Sequence, residues 1–148
     1  ALRNNEQPTQ SSPITIDQDH REAVERASMS FVKRQLRSEG FLLKDISKKK
    51  LGYDLEAKRG PDILYVEVKG TAGPAPRFIV TRNEIGFMET DPSSRVAIVT
   101  NALSAPRLHV LKGLHIERAF TLRPLQLEAI PRANAAHIIA NVRKFFCT

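Results

Sequence analysis

Asp62-Ile63-Leu64-Tyr65-Val66-Glu67-Val68-Lys69-Gly70 is an apolar run that ends with an acid and a base two residues apart. Side chains on a strand alternate between its two faces. Leu64, Val66 and Val68 therefore share one face, and Glu67 and Lys69 share the other. The first set can pack on a helix, while the second presents a charge pair at the strand's end. Residues 53–58 also alternate, and Arg59-Gly60-Pro61-Asp62 between the two runs has turn chemistry, so the pair reads as a hairpin. Folded about Gly60-Pro61, that hairpin brings Asp54 to the side of Glu67.

The elements on either side follow from the same kind of reading. Val24, Ala27, Ser28, Phe31, Val32 and Leu36 keep the i, i+3, i+4, i+7 rhythm of an amphipathic helix, which Asp17 caps and Gly40 ends. Residues 41–46 read as a short strand and residues 47–52 as a lysine-rich turn. After the Gly- and Pro-rich loop 70–76, residues 77–80 resume as a strand. Thr81-Arg82-Asn83-Glu84 has the spacing of a capping box that opens a helix to about Thr90. The continuous apolar run Val96-Ala97-Ile98-Val99 marks a central strand covered on both faces. Residues 108–111 read as a further strand, and 121–131, with two prolines, are left unassigned. Ala135, Ile138, Ile139, Val142, Phe145 and Phe146 fit a C-terminal helical stripe. The order predicts an α/β fold, a mixed β-sheet flanked by helices on both faces.

The chain has 148 residues, enough for one domain, read as residues 16–148 behind a polar tail at 1–15. It lacks any run of about 18 apolar residues, so a transmembrane helix is excluded. A single cysteine, Cys147, cannot form an internal disulfide and suits a reducing compartment, cytoplasmic or nuclear. The start at Ala1 has neither a methionine nor an apolar leader, which fits a piece of a longer chain.

The net charge of +7 points to a polyanionic partner, a nucleic acid and not a membrane. Residues 33–60 hold nine Lys/Arg against four acids, with Lys48-Lys49-Lys50 at their centre. Arg77 and Arg82 are further candidates for phosphate contact. A plain solvated face would show the same charge run.

Two carboxylates as close as Asp54 and Glu67 repel unless a cation lies between them. Mg²⁺ suits one or two carboxylates plus a substrate phosphate, and Mn²⁺ is an alternative ion. Lys69 beside such a metal can orient a water and steady the charge on a phosphate under attack. Glu25 falls within the apolar stripe of the first helix, on the side of Val32 and Leu36, and is a candidate third acid, with Glu22 at the stripe's edge as the fallback. Glu84 is explained by its capping box. Asp62 sits an odd five residues before Glu67 and so belongs to the opposite face. The four histidines show no metal-ligand spacing, and no P-loop, dinucleotide fingerprint or G-x-S-x-G is present.

Gly52-Tyr53-Asp54-Leu55, Tyr65-Val66-Glu67-Val68-Lys69-Gly70-Thr71 and Phe78-Ile79-Val80-Thr81-Arg82-Asn83-Glu84 together resemble the PD-(D/E)XK nuclease superfamily. More narrowly, they resemble the NO VEIN C-terminal-type domain, over about residues 17–112. The resemblance implies a restriction-endonuclease-like core. It further implies Mg²⁺ held by Asp54, Glu67 and the Val68 carbonyl, Lys69 assisting the attacking water, and a helix acid such as Glu25 in support. It also implies a place in a larger restriction, defence or repair protein, fused to or working with a helicase or ATPase. Cutting both strands of DNA would take a homodimer or sequential nicks. Here Tyr53, not Pro, precedes the first acid. Two readings stand: a Mg²⁺-dependent endonuclease acting on DNA, and a catalytically silent nucleic-acid-binding or protein-interaction module with the same fold.

Overall fold

A computed structural model describes residues 13–123 and 127–141. Helix α1 spans Pro13–Ser38, and β1, β2 and β3 follow at Leu42–Asp45, Leu55–Arg59 and Asp62–Gly70. A short strand β4 at Phe78–Val80 leads into helix α2, Arg82–Thr90, and then β5, Ser94–Thr100, and β6, Arg107–Lys112. The one-turn helix α3 at Ile116–Ala119 precedes β7, Phe120–Leu122, β8, Leu127–Pro131, and β9, Ala140–Asn141. The main sheet has the order β1-β2-β3-β5-β6-β9. Only the β3–β5 pair is parallel, which makes the sheet mixed. A second sheet, β4-β8-β7, accounts for the segment with two prolines that the sequence left unassigned.

β5 explains why the domain has two layers of core. Ala97 and Val99 join Val24, Val32, Leu36, Leu64 and Val66 beneath α1, while Val96 and Ile98 join Met88, Leu111, Ile116 and Phe120 on the side of α2. All four β5 residues are fully buried, as a run without polar alternation requires. α2 opens with the expected capping box, in which Thr81 Oγ1 accepts from the Glu84 N–H at 3.1 Å and Glu84 Oε2 accepts from the Thr81 N–H at 2.9 Å.

Two expectations change. α1 begins at Pro13, four residues ahead of Asp17, and so takes in the end of the supposed tail. A proline fits a first helical turn, where its missing N–H has no intrahelical partner to lose. The C-terminal helix is not formed over the described residues. Ala135 accepts from the Ile138 and Ile139 N–H groups in a single turn, and the chain then pairs as β9 with His109 and Val110. Ala135, Ile138 and Ile139 pack into the α2-side core, so their apolar spacing reflects one turn of packing. Val142, Phe145 and Phe146 lie outside the described residues.

Candidate active site: an acidic pocket with one lysine

The hairpin register pairs Leu55 with Val66, and the Asp54 N–H donates to the Val66 carbonyl at 3.0 Å. Even-numbered residues of β3 thus aim their peptide groups at β2. Odd-numbered ones aim at β5, as the Tyr65 N–H bonding the Ser93 carbonyl at 3.1 Å shows. Val68 lies past the last β2 pair, and its N–H donates instead to Asp54 Oδ2 at 2.8 Å. A hydrogen-bonded residue sends N–H and C=O to the same neighbour, so the Val68 carbonyl opens on the same space. The Asp54 carboxylate, the Val68 backbone and the Glu67 strand end are thereby brought together.

Glu67 and Lys69 share the α2 side of β3, as strand alternation requires. Lys69 Nζ sits 3.2 Å from Glu67 Oε1 and 2.9 Å from Glu84 Oε2. Glu67 is 4% exposed, one of four buried polar residues among those described. Tyr53, Tyr65 and Phe87 cluster with ring centroids 4.6 to 5.6 Å apart, Tyr65 sharing the α2 face of β3 with Glu67.

Three carboxyls share one ammonium, so full ionisation would leave two negative charges in a largely dry space. Burial, helped by the Asp54 and Glu84 charges and opposed by Lys69, pushes the Glu67 carboxyl up to about 9. Burial also raises Asp54, against the Val68 N–H and Lys69. Burial works against the Lys69 ammonium, but Glu67 and Glu84 outweigh it and raise its pKa. All three shifts point to a pocket short of positive charge.

A divalent cation would relieve that shortage. Asp54, Glu67 and the Val68 carbonyl form an all-oxygen donor set of the kind Mg²⁺ takes alongside water. Among the described residues no group of three His, Cys, Asp or Glu is gathered as a metal cluster. Glu84 is engaged instead by Lys69 and its own helix cap.

Glu25 is not part of this arrangement. It is exposed on α1, and α1 covers the Leu64/Val66 face, opposite Glu67. The buried positions Val24, Ser28, Val32 and Leu36 step by four, drifting about 40° around the helix each time. Glu25 aligns with the far end of that stripe and not with Val24 beside it. Glu84 is the helix acid at the site, and its capping role concealed a second one.

Lys48, Lys49 and Lys50 are exposed on the turn before Asp54. Asn83 Nδ2 of α2 donates to the Lys50 carbonyl at 3.1 Å, and a Cβ at Gly52 would meet Phe87 Cβ at 2.8 Å. The lysine turn is therefore fastened to the helix end that carries Glu84, with Arg82 exposed beside it. Arg77 is exposed at the entry to β4. The basic stretch 33–60 is not one surface. Lys33 pairs with Asp45 at 2.6 Å, Lys58 lies 3.7 Å from Glu56, and Arg59 stacks 4.6 Å from the Phe41 ring centre.

Among the described residues no helix is long and apolar enough to cross a membrane. No curated protein and no solved structure matches the chain. A family model described as "Protein NO VEIN, C-terminal" matches residues 24–111, from within α1 into β6, and includes Asp54, Glu67, Val68, Lys69 and Glu84. With more than half of its length matched, the chain belongs to the NO VEIN C-terminal family.

Proposed function

We propose that this domain is a Mg²⁺-dependent, PD-(D/E)XK-like endonuclease that hydrolyses DNA phosphodiester bonds as part of a larger restriction, defence or repair protein. The observation that carries the reading is the buried, charge-deficient pocket of Asp54, Glu67 and Lys69 beside an exposed lysine turn. Asp54, Glu67 and the Val68 carbonyl would hold the ion, which supplies Lewis acidity toward a phosphate oxygen. Lys69 remains protonated, orients the attacking water and stabilises charge gathering on phosphorus. The water oxygen bonds to phosphorus as the bond to the leaving oxygen breaks, with the water's proton passing to solvent and the leaving oxygen taking one up from solvent. Lys48, Lys49, Lys50 and Arg82 would hold the DNA backbone without reading bases, so affinity should fall steeply with salt. Work on duplex DNA fits association with a helicase or ATPase, and a double-strand cut fits a homodimer.

One observation favours a second reading, a nucleic-acid-binding module without turnover: Lys69 is already engaged by two carboxyl groups. Incubating the protein with supercoiled plasmid in Mg²⁺, Mn²⁺ or EDTA separates the two. Metal-dependent nicking that Lys69→Ala abolishes supports the nuclease. Nicking by the variant at the wild-type rate leaves only the module.

A further inference from the structure

We infer that Glu84 is a positioning residue for Lys69, so that the first turn of α2 sets the lysine's aim. This rests on the nuclease reading for its effect on turnover, but the contact itself does not. Lys69 Nζ touches two carboxylates, Glu67 Oε1 at 3.2 Å and Glu84 Oε2 at 2.9 Å, and the two differ in kind. The Glu67 contact is the longer of the two, and Glu67 belongs to the donor set that would face a cation. Glu84 is tied elsewhere. Its Oε2 also accepts the Thr81 N–H at 2.9 Å, and its own N–H donates to Thr81 Oγ1 at 3.1 Å. One carboxylate oxygen thus joins the end of β3 to the N-terminus of α2.

The consequence is mechanical. A lysine side chain has four rotatable carbons and loses much entropy when fixed. Glu84 fixes it from a helix that the Asn83–Lys50 bond also ties to the lysine turn. The first turn of α2 therefore holds together the water-orienting ammonium and the surface offered to the DNA backbone. A misplacement of about 1 Å at a reacting centre can cost on the order of 10²-fold in rate.

The test compares wild type with Glu84→Ala, Glu84→Gln and Thr81→Ala. Thr81→Ala breaks the other half of the cap but leaves the Glu84 carboxylate in place. Heteronuclear NMR of the Lys69 ammonium in metal-free protein reports whether that group is held, since an ordered, ion-paired ammonium exchanges its protons slowly. Thermal melts should fall alike in Glu84→Ala and Thr81→Ala. The Lys69 signal should be lost in Glu84→Ala only and kept in Glu84→Gln, whose amide oxygen still accepts. In plasmid nicking, Glu84→Ala should lower kcat by on the order of 10- to 100-fold with KM for DNA unchanged, and Glu84→Gln should restore part of it. A Lys69 signal that survives in Glu84→Ala, or vanishes equally in Thr81→Ala, overturns the inference. Absence of wild-type turnover would sink the nuclease reading alone, because the NMR comparison still decides what Glu84 holds.

Discussion

The two faces of β3 are built to opposite rules from one stretch of nine residues. On the α1 face, Leu64 and Val66 are 2% and 0% exposed and interlock with Val24, Val32 and Leu36. Burying side chains of this size stabilises by about 1.5–3 kcal/mol each. On the α2 face the same strand buries Glu67 among Asp54, Lys69 and Glu84, and there burial raises the cost of every negative charge. The contrast teaches a division of labour. The apolar face supplies stability that needs no ligand, and the charged face holds an arrangement that a bound cation would complete.

The largest effect is expected where the apolar face is most tightly engaged. A Cβ at Gly70 would overlap Ser28 Oγ and lie 2.8 Å from Ser28 Cβ and 3.1 Å from Val24 Cγ1, so α1 crosses the strand end in contact with bare backbone. Ser28 cannot readily turn aside, because its Oγ donates to the Val24 carbonyl at 2.7 Å. Gly70→Ala should destabilise the domain by about 3 kcal/mol or more, measured by urea unfolding. An unchanged midpoint would mean that α1 is not seated on β3 as described.

The charged face gives the next effect, and its sign is opposite. Glu67 titrates near 4.5 when unfolded and near 9 when folded, so the folded state binds the extra proton across that window. Stability of the metal-free protein should fall as pH rises from about 5 to about 9. Glu67→Gln should flatten that slope, becoming more stable than wild type at pH 8 while matching it near pH 4. Parallel slopes for the two proteins would show that Glu67 is not the group responsible.

This contrast also explains what the sequence could reveal. The period of two along β3 separates its faces without ambiguity, and the run from Val96 to Val99 announces burial on both sides. Asp54 was legible because a hairpin needs only a turn and two alternating segments. Glu25 was misplaced because helical periodicity averages over a stripe whose buried direction drifts along α1. The second role of Glu84 was hidden because a capping box explains it locally, whereas its contact with Lys69 spans fifteen residues and exists only in the folded protein. Over the described residues the C-terminal stripe makes a single turn, because one turn and a longer helix share the same apolar spacing.

A smaller effect lies at the edge of the apolar face, where Lys33 of α1 meets Asp45 of β1. Burial opposes the Asp45 charge, but the Lys33 and Ser47 hydrogen bonds outweigh it and lower its pKa to about 2. Its contribution is present above about pH 4 and lost as pH falls toward 2. Because the pair is partly exposed, Asp45→Asn should cost no more than about 1 kcal/mol at pH 7, measured by thermal unfolding. A loss several times larger would place this contact in the core and not at its rim.

Mn²⁺ binding followed by electron paramagnetic resonance, in which the signal of the free ion disappears on binding, tests the central claim most directly. One ion per chain should bind to wild type, and both Asp54→Asn and Glu67→Gln should abolish binding while remaining folded. An ion that still binds after both substitutions, or wild type that leaves the free signal untouched, would contradict the assignment of these two carboxylates to a cation.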